Sequence, residues 1–361
     1  MILNTLYKLD QKGRIRQWTI MHDDISYTVY HGLSDGKQIE KTTKVKAKNI
    51  GKANETSLPE QAKKEAEALW LKQRDRECYL EDLEDEPHHI EPMLALDYSR
   101  VPHRVDWDDT IFGQAKLDGV RAIYDSYKDP NVLQSRKGID YPLIKLANKL
   151  LFVQNQLGIN YPIDGEIYLH GQTLNRIHGA AVSPKELTDS LDFYIFDIVA
   201  PGIPYSMRRK LLESIDTSML PLNIKILTSF EITEDRVQQE HDRIVTAGFE
   251  GIMLKGGSGE YELGFRSPHL FKYKNFKEKE FEIIDVIPDK EGQGILVYKI
   301  IHPDNSICDF KSRMRGTNEE RVELLENKHN YIGKQGTVRF FSYTEYGIPQ
   351  FPVTVAINQD K

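Results

Sequence analysis

Apolar residues recur at helical intervals over residues 58–74, where Ala62, Ala66, Leu69 and Trp70 fall on one stripe. Ser57-Leu58-Pro59-Glu60 just ahead has the spacing of a capping box, so the pattern predicts a helix that starts there. Upstream, short runs at 15–20 and 25–30 are punctuated by Gly13-Arg14, Asp23-Asp24 and Ser34-Asp35-Gly36, which predicts a β-meander. From about residue 88 to 276 both periods occur. Strands are expected over 120–124, 163–169, 191–199, 252–255 and 270–274, and a helix over 233–247 closed by Gly248. Beyond 277 the chain turns β-rich, with runs at 280–287, 295–301, 337–343 and 352–357 broken by Pro288-Asp289 and Gly347-Ile348-Pro349.

The expected architecture is therefore α+β and multidomain. A meander-plus-helix module fills 1–76, an acidic linker 77–87, a mixed α/β domain 88–276, and a five-stranded OB-fold β-barrel 277–361. A length of 361 residues agrees with several cores rather than one. No run approaches the roughly 18 apolar residues that read as a membrane span, and the charged, aromatic start lacks a signal-peptide layout. The expected location is the cytoplasm, or the host cytosol if the source is viral. The only cysteines, Cys78 and Cys308, fall in different expected domains, which argues against a disulfide framework or a cysteine zinc site.

The net charge of −7 opposes a nucleic-acid partner only on average. Lys12, Arg14 and Arg16, then Lys41, Lys44, Lys46, Lys48 and Lys52, concentrate positive charge in the first module, whereas 77–86 is acidic. A basic face can coexist with an acidic total.

The chemistry lies in an ordered set of segments: Lys116-Leu117-Asp118-Gly119-Val120-Arg121, Ser135-Arg136-Lys137-Gly138, Asp164-Gly165-Glu166, Phe193-Tyr194-Ile195-Phe196-Asp197, Glu250-Gly251-Ile252-Met253-Leu254-Lys255 and Leu270-Phe271-Lys272-Tyr273-Lys274. Any one alone has a plain reading. K-x-D-G describes a solvated turn, Asp-Gly a hairpin, and Phe196 a core aromatic. Strand periodicity puts Asp164 with Glu166, and Lys272 with Lys274, on common faces, with Phe271 and Tyr273 opposite. A lysine used as a nucleophile must lose its proton: with a reference pKa near 10.4, about one amine in 2,500 is neutral at pH 7, a cost of about 4.6 kcal/mol. Neighbouring cations reduce that cost and also neutralise a phosphate under attack.

Taken in order, the segments resemble the covalent nucleotidyltransferases, and within them the ATP-dependent DNA ligases of the compact kind found in phages. The resemblance covers roughly residues 90 to 361 and implies an ATP-grasp-like nucleotidyltransferase domain. It implies that Lys116 attacks the α-phosphorus of ATP, holds AMP, and passes it to the 5′-phosphate of a nick, after which the 3′-OH displaces AMP. Glu166 matches the acidic residue serving ribose and metal, Glu250 the metal-site glutamate, and Phe196 the aromatic stacked on the purine. Arg121 and Arg136 match arginines that grip nucleotide or the nick's 5′-phosphate, and Lys255, Lys272 and Lys274 match phosphate-contacting lysines. The implied cofactors are ATP and Mg2+ or Mn2+, and the implied partner of this monomer is nicked duplex DNA.

Trp18 and 48–54 resemble the WGR-like modules of some DNA-repair proteins, which implies DNA binding by Arg14, Arg16, Lys44, Lys46 and Lys48. An RNA ligase, a GTP-using capping enzyme, and an inactive DNA-binding adaptor with a ligase fold remain open. Two features depart from the family: Gln350 stands where an arginine is common in a G-x-x-R-F-P-like segment, and no terminal R-x-D-K motif is evident. Arg208 and Arg209 sit where ligases often carry arginines, yet a helix's solvated face explains them almost as well, and His88-His89 reads as linker without metal-ligand partners.

Overall fold

The computed structural model describes the whole chain except residues 11, 159, 275, 303–305, 345 and 359–361. The first unit is a four-stranded antiparallel meander, Leu6–Leu9, Ile15–His22, Ser26–Leu33 and Ile39–Lys44, in chain order. Helix Leu58–Arg76 packs on it, opened by the capping box in which Ser57 and Glu60 bond each other's backbone N–H. Ala66 on that helix meets Leu6, Trp18 and Ile20, so Trp18 is core. The Trp70 indole N–H is satisfied by the Asn4 carbonyl at 2.7 Å.

The central unit has two sheets. One has six strands in the order Ile224–Ile226, Asp192–Ile198, Ile163–Tyr168, Val120–Tyr124, Leu133–Ser135, Asp140–Tyr141. The other has five, in the order Ser229–Glu231, Ile111–Lys116, Gly251–Gly256, Arg266–Lys274, Leu94–Asp97. Each sheet buries one face against helices. Val120, Ala122, Ile163, Ile167, Phe193 and Ile195 join a core with Leu146, Leu150 and Ile177 of helices Ile144–Leu157 and Leu174–Val182. Ile252, Leu254 and Phe271 join Val237 and Ile244 of helix Val237–Thr246. The residues between these point to the other faces, where polar groups collect. Ile123 and Val199 from one sheet meet Leu270 and Met253 from the other, with Met93 and Tyr261, in a small cluster that closes the space between the sheets. The chain crosses from sheet to sheet at Leu117-Asp118-Gly119, directly after Lys116.

The last unit is a closed five-stranded barrel: Lys277–Pro288, Gly294–Ile301, Ile307–Met314, Val353–Ile357, Gln335–Phe340. Its closing pair, Arg313↔Val353, is parallel, and helix Asn318–Glu326 lies between the third and fourth strands in chain order. Phe281, Tyr298, Phe310, Phe340 and Leu324 fill the interior. Strand Ile307–Met314 is an addition to the expected set. Among the described residues no helix is long and apolar enough to cross a membrane.

Candidate active site

Register assembles the lysines. Gly251 pairs with Lys116 on one side and Lys274 on the other, and Met253 pairs with Lys272, so one face of three adjacent strands carries all three amines. A Cβ on Gly251 would stand 2.2 Å from the Tyr273 carbonyl oxygen and 3.1 Å from Lys274 Cα, so only glycine lets these strands meet here. The preceding residue, Glu250, then enters between the amines. Its Oε2 accepts from Lys116 Nζ and its Oε1 from Lys274 Nζ at 2.8 Å. The Glu250 side chain is 4% exposed against 22% and 21% for the two lysines, so one buried carboxylate is neutralised by two half-buried cations. From the barrel, the Phe341 ring lies 4.2 Å from Lys274 Nζ. Burial, with Lys274 and Lys116 alongside, lowers the pKa of Lys272.

The facing sheet supplies the opposite wall. Arg121 pairs with Glu166 across strands and forks onto Asp164, Nε to Oδ1 at 2.9 Å and Nη2 to Oδ2 at 2.5 Å. Tyr261 donates to the same carboxylate at 2.6 Å, so the fully buried Asp164 is spent on structure. Glu166 has no such fork. Burial pushes its carboxyl up to about 7, with Lys116 and Arg121 opposing and Glu250 and Asp164 adding to the rise. Asp118 is raised too, by burial and then by Glu250. The crossing depends on Gly119, where a Cβ would fall 2.4 Å from the Ile167 carbonyl oxygen and 2.8 Å from Glu166 Cγ.

Phe196 is half-buried, unlike its core neighbours Phe193 and Ile195, and stands between two cations. The Arg121 guanidinium carbon is 5.5 Å and Lys255 Nζ 5.3 Å from its ring centre. Lys255 donates to the Phe196 carbonyl at 2.9 Å and lies 3.8 Å from Asp197. Burial above all lowers its pKa to about 8, with Arg208 and Arg121 contributing and Asp197 opposing. Lys116, Arg121, Glu166, Phe196, Glu250, Lys255, Lys272 and Lys274 thus line one cleft between the sheets. Hard oxygen donors on Glu166 and Glu250, with no cluster of three or more metal-ligating side chains among the described residues, fit a magnesium ion held by one or two carboxylates and substrate phosphates.

A family model for the ATP dependent DNA ligase domain matches residues 92–274, which contain this whole cleft. The chain belongs to that family. The DNA ligase of African swine fever virus isolate Pig/Kenya/KEN-50/1950 is 29% identical over 345 residues, covering 86% of this chain and 78% of the viral protein. Among solved structures, a Lig E DNA ligase is 20% identical with a TM-score of 0.57, covering 74% of this chain and 98% of that one. The structure titled Pmar-Lig_Pre is 17% identical with a TM-score of 0.64, covering 84% and 74%. At these identities the structural likeness speaks for fold.

Other candidate residues of this ligase lie outside the cleft. Arg136 is exposed on the turn after strand Leu133–Ser135. In the first unit Arg14 pairs with Asp10 at 2.7 Å and Lys48 with Glu65 at 2.8 Å, Arg16 is half-buried, and Lys44 and Lys46 are exposed. Arg208 is not on a solvated face. It is 1% exposed, donates to Asp197 Oδ1 at 2.7 Å and Oδ2 at 3.2 Å, and reaches the carbonyls of Ile203 and Gly259. Arg209 stacks 4.6 Å over Phe112 and pairs with Glu213. His89 is buried rather than linker, with Nδ1 3.0 Å from the Asp75 carbonyl and 3.4 Å from Cys78 Sγ. Gln350 bonds Ser342 within its own loop. The terminal stretch 359–361, where an R-x-D-K motif would end, lies outside the described residues. Sequence reasoning missed Tyr261 and Gln114, which belong to no recognisable motif.

Proposed function

We propose that this ATP-dependent DNA ligase seals nicks in duplex DNA with Lys116 as the adenylylated residue. The observation that carries the assignment is the lysine face, Lys116, Lys272 and Lys274 around Glu250, set opposite Arg121 and Glu166. Lys116 Nζ bonds to the α-phosphorus of ATP as the bond to pyrophosphate breaks, and the ammonium loses two protons to solvent and the departing pyrophosphate, keeping one N–H in the phosphoramide. The AMP then passes to the 5′-phosphate of the nick, and the 3′-OH displaces it to close the strand. Lys272, Lys274 and Lys255 neutralise phosphate oxygens as charge grows on them. Phe196 offers a face for the purine, with Arg121 fixed beside it. A divalent cation bound here would compete with both lysines for Glu250 and add positive charge at the α-phosphate.

Gln114 supports adenine over guanine. It lies on the same face of the strand as Lys116, and its Nε2 is spent on the Leu227 carbonyl at 3.0 Å and Ser229 Oγ at 3.1 Å. The remaining amide oxygen accepts, which suits the exocyclic amine of adenine and opposes the carbonyl of guanine. The assignment is tested by incubating the enzyme with α-labelled ATP and magnesium, then chasing with nicked DNA. Label should bind the protein and leave it for nicked DNA, whereas label from GTP or release to nicked RNA alone would refute it.

The Glu250 role predicts a specific shift. Glu250→Gln should displace the magnesium titration of self-adenylylation to roughly 10- to 100-fold higher concentration, because a neutral amide is a weaker ligand for a hard cation. An unmoved titration midpoint would remove Glu250 from the metal site.

The reading divides the chain into domains 1–76, 88–276 and 277–361 with a connecting segment 77–87. The barrel's strand order, with its parallel closure and intervening helix, supports an OB fold that covers the duplex. The WGR-like module is read as a sequence-independent grip on DNA through Arg14, Arg16, Lys44, Lys46 and Lys48. Lys44→Gln with Lys46→Gln in the full chain should then flatten the slope of log affinity against log salt by about 0.9 per lost phosphate contact, leaving labelling by ATP intact. An unchanged slope would mean that the lysines face only solvent.

A further inference from the structure

The turn that carries Arg136 is held from behind by the end of the first unit. Within the turn, Ser135 Oγ accepts from the backbone N–H of Lys137 at 3.3 Å and of Ile139 at 2.9 Å. Gly138 has φ +68°, and a Cβ there would lie 2.6 Å from His89 Nδ1, so the imidazole packs flush on the turn. The buried His89 ring lies with Nδ1 3.0 Å from the Asp75 carbonyl. Asp75 belongs to the last turn of helix Leu58–Arg76, so one side chain joins that helix end to the turn at Gly138, two residues after Arg136. A second brace runs alongside, where Lys137 Nζ meets Glu77 Oε2 at 2.7 Å. Tyr7 exchanges backbone hydrogen bonds with Leu80, and Lys8 bonds the Glu77 carbonyl, so the segment is pinned to the meander as well. Burial lowers the pKa of His89 and pushes the adjacent Cys78 thiol up to about 11, which fits a neutral packing joint.

We propose that His89 and Glu77 are positioning residues for Arg136, so that the end of helix Leu58–Arg76 and the segment that follows it set how the enzyme recognises the 5′-phosphate of a nick. This rests on the reading of Arg136 as the arginine that grips that phosphate. The Arg136 guanidinium is exposed and carries no ion pair among the described residues, so its reach is fixed by where its backbone is held. A guanidinium's charge-assisted fork on phosphate depends on geometry as well as charge, so a displaced turn weakens it.

The test compares affinities of the full-length protein for nicks bearing a 5′-phosphate and a 5′-hydroxyl. Arg136→Ala should erase the preference for phosphate. Glu77→Gln and His89→Asn should reduce it by roughly ten- to a hundredfold, the scale of a lost hydrogen bond to a charged group, with hydroxyl-nick affinity and ATP labelling unchanged. The charge swap Glu77→Lys with Lys137→Glu should restore much of it. Glu77 and Lys137 are partly exposed, so their variants report even if His89→Asn fails to fold. If Arg136→Ala erases the preference while Glu77→Gln and His89→Asn keep it, the positioning role is wrong and the Arg136 reading stands. If Arg136→Ala keeps the preference, both fall.

Discussion

Lys116→Ala is expected to abolish labelling of the protein by α-labelled ATP, a loss on the order of a millionfold, as when other enzymes lose a nucleophile. The neighbouring amines cannot substitute. Lys274 is drawn to the far oxygen of Glu250, and Lys272 stands a strand pair away, opposite Met253. The same variant should still seal nicks supplied with AMP already on the 5′-phosphate, because the 3′-OH needs no lysine amine to attack. A gel that separates labelled protein from sealed strand reads both outcomes at once. Labelling that persists in Lys116→Ala would assign the nucleophile elsewhere.

Arg208→Ala is expected to be the most destabilising single change in the central unit, at about 3–5 kcal/mol, because it strips the buried Asp197 of its forked partner and leaves it only the longer contact to Lys255 at 3.8 Å. For a unit of this size that is a fall in melting temperature of roughly 6–20 °C. Arg209→Ala, one residue on, should cost under about 1 kcal/mol, since its ion pair with Glu213 is partly exposed. Asp197 also lies beside Lys255, so Arg208→Ala should weaken nucleotide binding even at temperatures where the fold survives. Equal melting of the two variants would show that the buried fork does not hold the unit together.

The contrast between these arginines marks where the sequence is legible. The segments around Lys116, Glu166, Phe196, Glu250 and Lys274 announce themselves by residue type and order, and strand periodicity placed Phe271 and Tyr273 on the side they occupy. The register that sets Lys116 and Lys274 on either side of Gly251 is a three-strand property, invisible in any one segment. A solvated face explained Arg208 almost as well as a ligase-type arginine because its helix is polar and its partner lies in another segment. His89 looked like linker because its burial is created by Gly138, far along the chain, and by a helix end that the acidic segment separates from it. Strand Ile307–Met314 escaped notice because Cys308, Phe310 and Ser312 alternate with Asp309, Lys311 and Arg313, a weak apolar signal for a barrel wall.

The three residues between Lys116 and Val120 have a mechanical meaning. A link of that length spans at most about 14 Å even when fully drawn out, so the two sheets cannot separate where the nucleophile sits. At Ile123, Met253 and Leu270 they are fastened again, by apolar contact. The gap between the sheets therefore behaves as a fixed gauge for its guest, and the large movements of a turnover fall to the parts hung on its outside.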